Sequence, residues 1–136
     1  MTKSQPRAQP RVLIVEDEVG LLEILELNFR GAGYDVSIAA DGVTAWQQFD
    51  RVRPDLLLLD LNLPRMSGFR LLELVRSESD VPVLILTAYD FAEAEEVAQY
   101  RPNAFVKKPF HIQDLIRQAD RLVGRGTADG GTDNRP

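Results

Sequence analysis

The apolar residues of the chain form short uninterrupted runs separated by longer segments of mixed character. The runs lie at residues 12–15, 56–59 and 81–86, with weaker examples at 34–39 and 104–106, and they are rich in leucine and β-branched residues. Such runs are typical of strands buried on both faces, as in a parallel sheet. The pattern therefore predicts five strands.

Between the runs, apolar residues recur at the spacing of an amphipathic helix. The first set is followed by Gly31 and Gly33, which favour a helix end. Residues 91–100 form a weaker case, because alanine and glutamate dominate there. The other four sets are Leu21, Leu22, Leu25 and Phe29; Val43, Trp46 and Phe49; Phe69, Leu71, Leu72 and Val75; and Ile112, Leu115, Ile116, Ala119 and Leu122.

Strands alternating with helices predict an α/β fold with a parallel sheet, and right-handed crossovers place helices on both of its faces. The ends of the chain differ from this core. Residues 1–10 are polar and contain two prolines, and residues 124–136 contain no bulky apolar side chain. We expect a folded domain over 11–123, a flexible N-terminal tail over 1–10 and a disordered C-terminal tail over 124–136.

Composition narrows the class of protein. The formal charge of −5 argues against a direct nucleic-acid-binding surface, which would carry a basic stripe. No cysteine is present, so disulfides and thiolate metal sites are excluded. The chain shows neither a signal peptide nor the roughly 18 consecutive apolar residues of a membrane span. We therefore expect a cytoplasmic protein without a membrane partner.

Polar residues follow four of the apolar runs. Glu16-Asp17-Glu18 comes after the first run, Asp60 after the third, Thr87 after the fourth and Lys108 after the fifth. Taken alone, each has a plainer interpretation, such as a helix cap or a solvated charge. Together they point to one site, because ligands of open α/β sheets bind outside the carboxyl ends of the strands.

The residue types at this edge indicate a metal and a phosphoryl group. Clustered carboxylates stay ionised together only when a cation joins them. All candidate ligands are hard oxygens, which suits Mg²⁺. A metal, a lysine and a threonine around one carboxylate would also hold a phosphoryl group by charge.

The motifs resemble the receiver domain of response regulators in two-component signalling. They are Val-Leu-Ile-Val-Glu16-Asp17-Glu18, then Asp60-Leu-Asn62-Leu-Pro64-Arg-Met-Ser-Gly68, then Leu86-Thr87-Ala88, then Lys107-Lys108-Pro109-Phe110. The resemblance implies a flavodoxin-like, doubly wound (βα)5 fold with a parallel five-stranded sheet. The expected strand order is 2-1-3-4-5, which is the order of flavodoxin-like sheets.

The resemblance also implies roles for individual residues. Asp60 would accept a phosphoryl group from a sensor histidine kinase or a phosphotransfer protein. Asp17 would bind Mg²⁺ directly with Asp60, Glu16 would act through a coordinated water, and Asn62 would offer its backbone carbonyl. Lys108 would pair with the phosphoryl oxygens.

Two further features follow from the same resemblance. The Lys108–Pro109 bond is expected to be cis. Thr87 and Phe105 would form a switch that changes the binding of a downstream protein. Because only small and polar residues follow Val123, and Gln118 replaces an arginine of the winged-helix regulators, we expect a single-domain, chemotaxis-type receiver that is a monomer or weak dimer. It would be no enzyme beyond its own phosphorylation and dephosphorylation.

Two alternatives stay open. A pseudo-receiver would bind proteins without being phosphorylated, although such a module would usually have lost part of the set of acids, threonine and lysine. A small aspartate-nucleophile phosphatase is suggested by Asp60-Leu61-Asn62, but that class needs a second aspartate where Asn62 stands, and a cap domain.

Overall fold

The computed structural model describes residues 9–88 and 98–125. It shows five parallel strands in the order β2-β1-β3-β4-β5, which confirms the predicted topology. Four helices are seen among the described residues. The bounds are β1 Arg11–Val15, α1 Val19–Gly31, β2 Asp35–Ala39, α2 Gly42–Val52, β3 Leu56–Asp60, α3 Gly68–Glu78, β4 Val83–Thr87, β5 Ala104–Lys107 and α4 Ile112–Leu122.

The central strands are apolar up to their last residue because both faces of the sheet are covered. Every residue of β3 and β4 is buried. Successive side chains point to opposite faces, so each strand contributes to two cores. Leu57 and Leu59 lie in the core with α2 and α3, whereas Leu56 and Leu58 lie in the core with α1 and α4.

Each helix begins where the sequence supplies a suitable residue. The Asp41 side chain accepts a hydrogen bond from the Thr44 amide and caps α2. Ser67 does the same for α3 by accepting from the Arg70 amide. Such caps satisfy amides that have no partner within the helix. They fix the directions in which α2 and α3 leave the carboxyl edge of the sheet.

Two strands begin later than their apolar runs predict. The fourth strand begins at Val83 and not at residue 81, because Pro82 has no amide hydrogen to donate to the ladder. Its carbonyl still accepts from the Leu57 amide, at 2.9 Å. The second strand begins at Asp35, after the buried Tyr34.

Other predictions fall on residues that are not described. The fourth predicted helix along the chain, over 91–100, lies mostly in the segment 89–97, which is outside the described residues. Most of the predicted tails, at 1–8 and 126–136, is likewise outside the described residues. None of the helices in the described parts of the chain is both long and apolar enough to cross a membrane.

Candidate functional site

The acid residues after β1 are held by backbone contacts. Glu16 is 1% exposed, and its amide donates to the Ala39 carbonyl at the end of β2. One carboxylate oxygen, Oε2, accepts from the Glu18 amide at 3.1 Å, where α1 is about to begin. Asp17, between them, is exposed. The pair therefore offers one buried and one solvent-facing carboxylate.

Asp60 is the last residue of β3 and is 4% exposed. Its Oδ1 accepts from the Asn62 amide at 3.0 Å. The spacing from Asp60 to Gly68 has a steric cause. A Cβ atom at residue 68 would lie 2.5 Å from the Leu61 Cα and 2.7 Å from the Asp60 carbonyl oxygen, so α3 can start this close only with glycine.

Lys108 joins the two buried acids. Its Nζ lies 3.0 Å from Asp60 Oδ2 and 3.1 Å from Glu16 Oε1. The lysine backbone is fixed as well, since its amide donates to the Thr87 carbonyl at 2.7 Å. The Lys108–Pro109 peptide bond is cis, the isomer that the resemblance implied. The lysine that directly precedes the proline is thus the one brought to the site.

The electrostatics reflect this crowding. Burial raises the pKa of the Glu16 carboxyl, and the nearby Asp60 carboxylate raises it further, against the opposing effects of the Glu18 amide and Lys108. Burial lowers the pKa of Lys108, but hydrogen bonds and charge attraction from Asp60 and Glu16 outweigh it, so that the pKa is raised. Lys108 therefore stays charged, while one ammonium serves two buried carboxylates.

Three carboxylates converge here. Glu16, Asp17 and Asp60 each offer an oxygen, and these atoms all lie within 4.8 Å of one another. With Lys108 included, the formal charge of the cluster is still negative. Hard oxygens with a deficit of positive charge are the donor set that Mg²⁺ prefers, so the residues present fit that ion.

The two predicted switch residues lie on neighbouring strands. Thr87 ends β4 and is fully buried. Phe105 lies on β5 opposite Ile85, and it is half-buried against the core shared with α2 and α3. Of the other predicted residues, Asn62 is exposed in the loop after Asp60, and only its amide contacts that carboxylate.

Sequence reasoning missed two residues beside this site. Arg65, in the loop between β3 and α3, bonds Asp41, the cap of α2. Asp41 could have been found from the sequence, because an acid directly before a helical pattern signals a cap. Arg65 gave no comparable signal.

Comparison with known proteins agrees with this geometry. The family model of the response regulator receiver domain matches residues 12–120. The chain belongs to the response regulator receiver family. It is thus a receiver domain of the two-component response regulators, a signalling domain. Among curated relatives, the sensory transduction protein RegX3 of Mycobacterium tuberculosis is 38% identical over 120 residues, which cover 87% of this chain and 52% of that protein.

A second relative is longer in the same way. The DNA-binding response regulator MtrA of Mycobacterium leprae is 36% identical over 116 residues, covering 85% of this chain and 52% of MtrA. The receiver chain thus spans about half the length of the curated relatives it matches.

Solved receiver domains share the fold. The receiver domain of the sensor histidine kinase PA1611 of Pseudomonas aeruginosa superposes with a TM-score of 0.78 at 31% identity, covering 86% of this chain and 99% of that one. That structure has a magnesium ion coordinated in its active-site cleft. The non-phosphorylated HemR receiver domain of Leptospira biflexa also gives 0.78, at 32% identity, with coverages of 94% and 98%.

Proposed function

We propose that this receiver is a Mg²⁺-dependent phosphoacceptor in which Asp60 takes a phosphoryl group from a phosphohistidine. The donor would be a sensor histidine kinase or a phosphotransfer protein. The observation that supports the proposal most strongly is the environment of Asp60, a buried carboxylate with Lys108 Nζ at 3.0 Å and two further acids beside it. Three clustered carboxylates, with one lysine bonded to two of them, are an arrangement that stability alone does not favour.

The transfer needs no proton from the protein. A carboxylate oxygen of Asp60 attacks phosphorus, the new O–P bond forms as the N–P bond of the donor breaks, and the departing imidazole takes up a proton from solvent. The Lys108 ammonium would pair with the phosphoryl oxygens and stabilise their negative charge. Mg²⁺ would be held by Asp17, Asp60 and the Asn62 carbonyl. Glu16 would act through a coordinated water. When bound, Mg²⁺ neutralises phosphoryl charge.

The same proposal includes a switch. The Thr87 hydroxyl would move to the new phosphoryl group, and Phe105 would turn inward from its half-buried position on β5. Thr87→Ala should therefore leave phosphorylation largely intact but abolish the change in partner affinity that phosphorylation causes. If the phosphorylated variant binds its partner as the phosphorylated wild type does, the switch is not at Thr87.

The central claim is tested by mass spectrometry of the intact chain incubated with Mg²⁺ and acetyl phosphate. We expect a mass increase of about 80 Da, one HPO₃ group, that is lost in Asp60→Asn. Asp55→Asn is a matched control, because Asp55 lies at the opposite end of β3 from Asp60. An unmodified wild type at saturating donor would contradict the proposal and favour the pseudo-receiver.

The remaining expectations belong to this proposal. We infer a receiver domain over residues 11–123 with flanking tails at 1–10 and 124–136, located in the cytoplasm and a monomer or weak dimer. Its output would be a downstream protein, without direct contact to nucleic acid, in keeping with the net charge of −5. Limited proteolysis with mass mapping would test the proposed boundaries.

A further inference from the structure

Arg65 and Asp41 link two loops at the carboxyl edge of the sheet. Arg65 Nη1 lies 3.1 Å from Asp41 Oδ2 and joins the loop after β3 to the first turn of α2. Asp41 is held from the other side, since Oδ1 accepts from the Thr44 amide at 2.8 Å. That amide, followed by other contacts including Arg65, lowers the pKa of Asp41, which keeps the carboxylate charged.

The loop is bent sharply at Arg65. Its backbone φ is +66°, in the left-handed region that side chains other than glycine seldom adopt. The Met66 amide donates to the Pro64 carbonyl at 2.7 Å across this residue, which closes a three-residue turn. Such conformations persist when surrounding contacts enforce them, and they are concentrated at ligand sites.

The turn also packs directly on the start of α2. A Cβ atom at residue 42 would lie 2.3 Å from the Met66 carbonyl oxygen and 2.6 Å from the Met66 Cβ. Backbone contact at Gly42 and the ion pair at Asp41 therefore fasten the same turn. Asn62 lies between Asp60 and the restrained turn at Arg65, in the short loop that connects β3 to α3.

We propose that Arg65 and Asp41 are positioning residues that hold loop 61–67 in the conformation that binds Mg²⁺. The inference rests on the proposed function, in which the Asn62 carbonyl is a metal ligand. Neither Arg65 nor Asp41 touches the reacting groups. They act through the loop by reducing the conformational freedom that metal binding would otherwise have to remove.

A simple field effect makes the opposite prediction for one of the two residues. Removing a positive charge near an acidic site should strengthen Mg²⁺ binding, and removing a negative charge should weaken it. If the pair instead restrains the loop, Arg65→Gln and Asp41→Asn must weaken binding in the same direction. The sign of the Arg65→Gln effect therefore separates the two explanations.

The experiment is a double-mutant cycle read by calorimetric titration of the full chain with MgCl₂. Asn at residue 41 keeps a side-chain oxygen for the cap of α2 while removing the charge. We expect each single variant to bind Mg²⁺ about threefold more weakly, the scale of an exposed ion pair, and the double variant to be no weaker than either. Tighter binding by Arg65→Gln, or additive effects, would overturn the proposal.

Hydrogen exchange of the metal-free chain supplies a second readout that does not depend on Mg²⁺. The amides of residues 62, 63 and 65–67 should exchange faster in both single variants. Arg70→Gln is the control, because it removes the same charge from an exposed pair with Glu73 one element away. Unchanged exchange with normal Mg²⁺ binding refutes the positioning role alone. A wild type that binds no Mg²⁺ refutes the proposed function, and exchange then decides whether the loop is restrained.

Discussion

At the amino ends of β4 and β5 a single arginine, Arg76, donates to four backbone carbonyls and to the side chain of Asn103. At the carboxyl ends of β1 and β3 the proportion is reversed, since one ammonium, that of Lys108, pairs with the two buried carboxylates of Glu16 and Asp60. At the amino end, the positive charge of Arg76 is fully surrounded by hydrogen-bond acceptors. At the carboxyl end, the buried carboxylates carry more negative charge than Lys108 can balance.

This difference separates groups selected for stability from groups selected for binding. A guanidinium with matched acceptors ties segments together without needing any further partner. A surplus of buried carboxylate is destabilising by itself and becomes favourable only when a cation or a phosphoryl group arrives. Removing the positive charge should therefore destabilise the fold at either end, whereas removing a carboxylate charge at the second end should stabilise it.

The largest effect is expected at Arg76. Arg76→Ala leaves acceptors in the α3–β4 connection and in the segment before β5 without their donor, so the free energy of unfolding should fall by about 3 kcal/mol. The value allows for the partial exposure of the side chain. Urea unfolding followed by circular dichroism measures it.

The control for this prediction lies on the same helix. Arg70 is exposed and pairs only with Glu73, so Arg70→Ala should cost roughly 0.5 kcal/mol or less. A similar loss in both variants would mean that the loss of a positive charge from the helix, and not the contacts of Arg76, determines the effect, since alanine itself favours the helix.

The contacts of Arg76 also show where sequence reasoning stopped. The strands and four helices followed from apolar runs and spacing, because burial on both faces of a parallel sheet leaves a strong pattern, whereas the order of the strands followed only from the family resemblance. Nothing in the sequence from Tyr100 to Asn103 predicts that two backbone carbonyls and the Asn103 side chain accept hydrogen bonds from one arginine on α3. That pairing links positions 24 to 27 residues apart through irregular backbone, which has no periodicity to read.

The next largest effect is expected at Lys108. Lys108→Met keeps the length of the side chain but removes the cation that bridges Glu16 and Asp60, so stability at neutral pH should fall by about 2 kcal/mol without Mg²⁺. Thermal unfolding with and without MgCl₂ checks this. Mg²⁺ should raise the midpoint of the variant more than that of the wild type, and an equal rise would contradict the shared-cation interpretation.

Glu16 should give the opposite sign. Because the folded state raises the pKa of Glu16 above the ordinary glutamate value of 4.5, ionisation opposes folding, and stability is lost as the pH rises from 4.5 through the folded pKa. Glu16→Gln should therefore be more stable than the wild type at pH 7 by about 1 kcal/mol. Metal-free urea unfolding at several pH values measures the gain.

The gain from Glu16→Gln should shrink as the pH falls to 4.5, since the wild-type carboxyl then takes up its own proton. Asp55→Asn is the matched control, because Asp55 accepts from the Arg11 amide at the amino end of the sheet and gains no stability from losing its charge. A gain at Glu16 that did not vary with pH would assign the effect to packing and not to charge.

Sequence identified the members of the site more readily than their arrangement. Five site residues were found because each lies within two residues of the end of an apolar run, and strand ends meet at one edge; they are Glu16, Asp17, Asp60, Thr87 and Lys108. The choice of Lys108 over Lys107 came from the family resemblance. The bridging position of Lys108 and the contact of Arg65 with Asp41 depend on side-chain geometry in loops. Neither spacing nor composition encodes that geometry.

The smallest change in stability is expected at Tyr34, whose hydroxyl is paired and lies at neither of the two ends compared above. The Tyr34 hydroxyl donates to Asp120 Oδ1 at 2.7 Å and links the start of β2 to α4. Tyr34→Phe keeps the ring against Phe29 and removes only this bond, so stability should fall by roughly 0.5 kcal/mol.

Burial, followed by the hydrogen bond and the charge of Asp120, raises the pKa of Tyr34 above 10. The neutral hydroxyl thus contributes fully below pH 10, and its contribution is lost as the pH rises towards the folded pKa. Urea unfolding at pH 7 and above pH 10 should show the difference between wild type and variant disappear. A difference that persisted at high pH would mean that Tyr34 stabilises the fold through its ring contacts and not through its hydroxyl.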